Sequence, residues 1–362
     1  MAGLTQQPKI VERGSTLHRI GQLVLFGSFA AFMLWKGIQG DRTGLGLLTD
    51  AIILAIAVTG LNLITGYTGQ ISIGHSAFFG LGAYTTAILV DRGWSHGWTF
   101  PVAAIVAFVV GCIVGLPALR LKGIYLALVT LGLAVAFPAL LNYDKVSGLT
   151  NGSLGIKDLT YLPPEWTPFD GRQDLHKWLF WLSLGCFLLV SLVASNMIRS
   201  RVGRAMIAVR DNETAAAVMG VDRAVIKTVV FGISAAMTGL AGGLFAVKLT
   251  LVEPVIGLFT LLGAITILVA MVIGGTASTW GPIVGAVLYT YINDFARTQG
   301  EQRDIAGLGG VIFGVLLILI ARFAPFGAVG LLRKFRARFV RTVPKLPVDT
   351  DQQNRVVASD PA

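Results

Sequence analysis

The sequence predicts an all-α integral membrane protein with about ten transmembrane helices. Hydrophobic residues fill 54% of 362 positions and charged residues only 13%, against roughly 25% charged in a soluble domain. The mean hydropathy is +0.73, and 44 glycines supply the small residues that let membrane helices approach closely. The charges also fall between long stretches that contain no Asp, Glu, Lys or Arg.

Those uncharged stretches are 20–35, 51–90, 93–119, 123–143, 178–198, 228–247, 254–293 and 305–321. A bilayer core takes about 20 apolar residues per helix, so 51–90 and 254–293 each suffice for two crossings and the total is about ten. Residues 1–19 read as a cytoplasmic tail. Lys9, Glu12, Arg13 and Arg19 precede any apolar run, so no cleavable signal peptide is expected and insertion rests on the first helix. A transmembrane domain is expected over 20–322, followed by a basic, partly disordered cytoplasmic tail over 323–362.

The charges set the orientation. Residues 199–227 carry six basic residues against three acids, and 322–345 carry seven with no acid. Both segments are expected in the cytoplasm by the positive-inside rule. The segment 144–177 is nearly balanced and holds Pro163, Pro164 and Pro168, which reads as an external loop. Five crossings from a cytoplasmic N-terminus reach that loop, one more reaches 199–227, and four more reach the tail. Both termini are then cytoplasmic.

The net charge of +10 does not point to nucleic acid, because it is spread between apolar blocks rather than along one surface. Cys112 and Cys186 lie within apolar stretches and imply no disulfide framework. His18, His75, His96 and His176 lack metal-ligand spacing, so no metal or cofactor is expected.

Residues 62–84, NLITGYTGQISIGHSAFFGLGAY, are dense in Gly, Thr, Ser, Asn and Gln for a membrane block. In lipid these polar groups would go unsatisfied, so the segment belongs at a helix interface or along a water-filled path. Asn62, Thr65, Thr68, Gln70, Ser72, His75 and Ser76 are uncharged hydrogen-bonding groups suited to passing a polar or zwitterionic solute. They equally suit interhelical hydrogen bonding, and both readings stay open. His75 is the ionisable side chain of the 51–90 block and has no acidic partner within it, which argues against a proton relay.

Residues 199–221 hold a second motif. Ala205, Met206, Val209 and the run Ala215–Met219 suit two short helices, with Asp211 or Asn212 capping the second. Glu213 would complement the dipole in its first turn, and Gly220 would end it. A short capped helix between two spans suits docking into a cytoplasmic partner; a solvated basic loop that fixes topology is the alternative.

The pattern Glu213-Thr-Ala215-Ala216-x-x-x-Gly220 resembles the coupling-helix motif of ABC importer permeases. Residues 66–80, GYTGQISIGHSAFFG, are similar to the signature of branched-chain amino acid permeases of the M type. Residues 117–126, PALRLKGIYL, and 273–282, IGGTASTWGP, resemble the same family, so the likeness runs from about 48 to 326. Two departures stand out. An acid and a base common in the fifth span of the family are missing at Val135 and Pro138, and the external loop reads Thr150-Asn151-Gly152-Ser153-Leu154-Gly155.

The resemblance implies an ABC importer permease fold in a bacterial inner membrane. It implies a second homologous permease, two cytoplasmic ABC ATPase subunits and an extracytoplasmic solute-binding protein as partners. Arg210, Glu213, Ala215, Ala216 and Gly220 would contact the ATPase, and branched-chain or related small amino acids would be the solute. No Walker A sequence is present, so the chain is not expected to be an enzyme. A urea, short-amide or sugar permease of the same superfamily is the nearest alternative. A stand-alone secondary transporter is disfavoured by the lack of midplane carboxylates for ion coupling.

Overall fold

The structure, a computed structural model, describes residues 9–12, 33–94, 96–118, 123–157, 159, 161–164, 167–169, 174–249, 251–254, 257–303, 308–323 and 327–343. It divides into two units, 1–36 with 331–362, and 37–330. In the first, β1 (Lys9–Glu12) pairs in parallel with β2 (Val340–Val343), Lys9 opposite Val340 and Glu12 opposite Val343. Most of the first expected span, 20–32, lies outside the described residues; 33–39 is helical.

The larger unit is helical. Helix α1 (Arg42–Leu61) begins where the Asp41 carboxylate accepts from the Gly44 amide at 3.2 Å. It continues unbroken into a π-helical stretch, Asn62–Tyr67. There follow α2 (His75–Asp91), α3 (His96–Ala118), α4 (Ile124–Leu141) and the short α5 (Asp144–Thr150). Helix α6 (Leu175–Arg199) leads to α7 (Arg201–Asp211) and α8 (Glu213–Val218), and then to α9 (Arg223–Leu249). The chain closes with α10 (Leu261–Gly274), α11 (Gly281–Gln302), α12 (Leu308–Phe323) and α13 (Gly327–Phe339), the last crossing the boundary between the units.

Helix α1 is the hub. It packs against α6, α9 and α11, and 89% of its apolar window is buried, so neighbouring helices rather than lipid satisfy its hydrophobic surface. Helix α9 crosses α2 and α3 on small residues. A Cβ at Gly82 would overlap the Gly239 carbonyl, and one at Gly242 would overlap the Phe79 carbonyl, so α2 and α9 meet main chain to main chain. Phe79, Phe245 and Phe259 fill the adjoining space edge to face. By contrast α3, α4 and α6 are only 33–39% buried and show apolar side chains outward, among them Ile124, Leu128 and Val135 on α4. Such faces require lipid or another apolar surface.

Among the described residues, five helices are long and apolar enough to cross a membrane: Arg42–Tyr67, Gly97–Pro117, Ile124–Leu141, Leu175–Arg199 and Arg223–Leu249. That is fewer than the ten expected. Both long uncharged stretches do divide, at 69–74 and 275–280, but polar, Gly-rich breaks leave α2 and α10 with only 17 and 14 residues. Helix α11 is long, but Asp294, Arg297 and Glu301 lower its hydropathy.

The expected external loop is folded over its first part. Asn151 and Gly152 turn the chain through left-handed conformations at φ 56° and 54°, and Thr150 Oγ1 donates to the Leu141 carbonyl at 2.8 Å. Ile156 then forms an antiparallel bridge with Val252. At the C-terminal end, the expectation of disorder falls on residues outside the described ones, 344–362; the chain before them is α13 and β2.

Candidate functional site

The polar motif at 62–76 forms a break between two helices, closed by its own side chains. The π-helical register shifts the Gln70 amide onto the Ile64 carbonyl at 3.1 Å. Thr65 Oγ1 donates to the Gln70 carbonyl at 3.0 Å, and Gln70 Nε2 donates to Thr68 Oγ1 at 3.1 Å. Thr68 in turn donates to the Ile64 carbonyl. Gly69 makes the reversal at φ 71°, a conformation open to glycine at no steric cost.

Across the break, Ile73 donates its amide to Thr130 Oγ1 on α4 at 3.0 Å. His75 is 1% exposed and lies between two hydroxyls, Ser72 Oγ at 3.0 Å from Nδ1 and Ser234 Oγ at 2.6 Å from Nε2. Ser234 commits its proton to the Gly60 carbonyl at 2.6 Å, so it accepts from His75. The imidazole is therefore the Nε2–H tautomer, with Nδ1 accepting from Ser72. Ser76 is fully buried, and its hydroxyl has no hydrogen-bond partner among the described residues.

Asn62 joins this break to the second one. Its Nδ2 donates to the Ser278 carbonyl at 3.0 Å, and its Oδ1 accepts from the Ala277 amide at 2.9 Å. Gly66 lies so near that a Cβ there would press on the Ala277 amide. Two motifs more than 200 residues apart thus meet at one amide side chain. Of the seven candidates, six are buried and Thr65 is partly exposed; Gly69 and Ile71 are the exposed positions of the break.

The docking candidates lie at the same end of the bundle. Asn212 caps α8, its Oδ1 accepting from Thr214 and Ala215 amides at 3.1 and 3.0 Å. Glu213 accepts from Lys227 Nζ at 2.8 Å and pairs with Arg223 at 3.6 Å, tying α8 to the start of α9. Ala216 is buried beneath α8, Ala215 faces outward, and Gly220 leaves the helix at φ 83°. Arg210 faces the other motif: its Nη1 donates to the Gly66 carbonyl at 3.2 Å, and its stem packs on Gly69.

Two features were not singled out from sequence. Val218 and Met219 are 82% and 83% exposed at the tip of α8; their apolar character was visible, but not the face they occupy. Lys227 is 7% exposed against Glu213, and a basic residue near a span end looked like a topology signal. Val135, where a family acid or base is missing, is 56% exposed, while Pro138 lies inside α4. Among the described residues no group of three or more His, Cys, Asp or Glu could hold a metal ion.

The sequence profile of the family described as branched-chain amino acid transport system / permease component matches residues 44–321. The chain is 31% identical over 338 residues to the high-affinity branched-chain amino acid transport system permease protein LivM of Salmonella typhimurium, covering 88% of this chain and 77% of that protein. It is 25% identical to the LivH permease protein of the same kind of system in Escherichia coli K12, over 76% of this chain and 91% of that one. The autoinducer 2 import system permease protein LsrC of Salmonella paratyphi A is 26% identical over 85% and 87% of the two chains. No solved structure matches. Since the profile spans most of the chain, from α1 to α12, the chain belongs to the family of permease components of branched-chain amino acid transport systems.

Proposed function

We propose that this chain is the permease subunit of a bacterial ABC importer and forms the translocation path for branched-chain or related small amino acids. Its partners would be a second similar permease, two cytoplasmic ATPases and an extracytoplasmic binding protein. The bond from Arg210 to the Gly66 carbonyl carries this reading, because it joins the docking segment to the broken helix by one charged side chain. Glu213, held by Lys227, fixes α8 on the bundle while Val218 and Met219 project as an apolar knob for the ATPase.

The proposed cycle runs through that bond. Closure of the ATPases shifts α8 and α7, Arg210 moves Gly66, and Asn62 passes the shift to Ala277 and Ser278. The polar side chains of 62–76, held here by bonds within the break and to Ser234, Ala277 and Ser278, become available to solute when the two breaks part. A hydrogen-bonding, uncharged wall suits a zwitterion whose charges lie close together, and it penalises a net ionic solute through desolvation.

Ten crossings with both termini cytoplasmic fit this cycle. The pairing of residues 9–12 with 340–343 supports tails on one side of the membrane. A solute of another class is a second reading, favoured by the likeness to the autoinducer 2 import permease LsrC.

ATP-dependent uptake of labelled leucine, valine, urea and ribose by the reconstituted complex tests these readings. Leucine and valine uptake is expected; ribose uptake alone, or uptake driven by a proton gradient without ATP, would overturn the amino-acid assignment. Arg210→Gln is expected to keep the ATPases bound and hydrolysing while transport per ATP falls about tenfold, the loss of one charge-assisted hydrogen bond. An unchanged transport-to-hydrolysis ratio would remove Arg210 from the relay.

A further inference from the structure

At the opposite end of α1 from the docking helix lies a cavity of about 370 Å³ between α1, α9, α10 and α11. Asp50, at its rim, precedes Gly66 by 16 residues, which places the two roughly 24 Å apart along the helix. The cavity is therefore at the end that the proposed topology makes extracytoplasmic. Its volume falls in the range of small-molecule sites, roughly 300–1,000 Å³.

The lining is divided by chemistry. Ile53, Leu54, Phe245 and Leu258 form one apolar wall. The lining also holds Asp294 and Arg297 of α11, whose side chains pair at 3.5 Å, and Arg297 pairs at the same distance with Glu301 one turn on. Thr266 and Tyr289, also in the lining, share a hydrogen bond at 3.0 Å. Asp294 is 29% exposed and Arg297 66%, so both retain hydrogen-bonding capacity. Asp50 adds a second carboxylate at the rim, but it is committed to Lys248.

We infer that this cavity is a low-affinity subsite for an α-amino acid with an apolar side chain. The ligand would be received before it passes towards the broken helices. Its carboxylate pairs with the Arg297 guanidinium, its ammonium with the Asp294 carboxylate, and its side chain lies on the Ile53–Phe245 wall. An acid and a base three residues apart on one helix present opposite charges a few ångströms apart, the spacing of a zwitterion's own charges. The weak 3.5 Å pair is the resting state that the ligand replaces with two shorter charge-assisted bonds. An organic anion leaves the Asp294 carboxylate without a partner, and an amine leaves Arg297 with only its long pair to Glu301, so the site selects against both. This inference rests on the amino-acid reading above.

The test is leucine uptake by the reconstituted complex at saturating binding protein, with 4-methylpentanoate and isoamylamine as competitors. In the wild type neither competitor should block uptake. Asp294→Asn and Arg297→Gln should each raise half-saturation for leucine about tenfold. Asp294→Asn should in addition let 4-methylpentanoate compete, and Arg297→Gln should let isoamylamine compete. Thr266→Val, which removes one hydroxyl without touching a charge, should raise half-saturation less and keep both exclusions. Wild-type uptake of leucine together with unaltered half-saturation and exclusions in both charge variants would overturn the subsite and leave the permease function standing. Failure of the wild type to take up any amino acid would overturn the permease reading itself.

Discussion

Asn62 makes two bonds that demand a donor and an acceptor on one short side chain, and both reach the break at 277–278. Leucine has the same branched skeleton but offers neither group, so the Ala277 amide and Ser278 carbonyl would lose their partner. Asn62→Leu is expected to destabilise the purified chain by about 1–3 kcal/mol, the cost of burying an unsatisfied polar group, read as a lower Tm in detergent. An unchanged Tm would mean water replaces the side chain at no cost. Sequence showed that a polar residue in an apolar block needed a partner, but not which one, because that partner lies 216 residues away. That neighbouring hydroxyls could satisfy His75 was legible; that Ser234 supplies one of them from another helix was not.

Helix α8 is six residues long, too short to hold its shape by backbone bonding alone, and it relies on its cap and on the Glu213–Lys227 pair. The cap and the terminating Gly220 were legible because they obey local rules of spacing and φ. The outward face was not, since exposure depends on how α7 and α9 hold the segment. Replacing Val218 and Met219 together by serine should leave the chain's own Tm unchanged, because both are more than four-fifths exposed. Binding to the ATPases should weaken by about 3 kcal/mol, roughly a hundredfold, if the two side chains are buried on docking. Copurification at wild-type yield from dilute solution would return α8 to the role of a topology anchor.

For the whole molecule, composition made the membrane-spanning α-class legible, and the uncharged stretches located the helices only coarsely: α1 starts at 42 rather than 51, and α11 runs to 302 rather than 293. Their continuity was less legible. The division of 51–90 and 254–293 was right, but run length did not reveal that the breaks shorten α2 and α10 below a full span. Nor did it show that the external loop begins with α5 and bridges to Val252. Cysteines at Ser153 and Asp349, in a chain with Cys112 and Cys186 replaced by serine, test the topology. An impermeant thiol reagent added to intact cells should label the first and spare the second. Equal labelling would overturn the ten-crossing arrangement.

The two breaks are unequal latches. Gly69 takes its left-handed turn freely, whereas Ala277 holds φ 53° with a Cβ that makes this conformation cost roughly 1–2 kcal/mol. The bond from the Ala277 amide to Asn62 keeps it there. Releasing that bond lets 277 relax downhill, while Gly69 gains nothing from moving. The turn at 275–280 is thus cocked and the turn at 69–74 is slack, so in the proposed cycle an opening pulled through Arg210 would break first at the cocked side. A glycine at 277 would uncock it: the strain would go, and separating the two breaks would cost more.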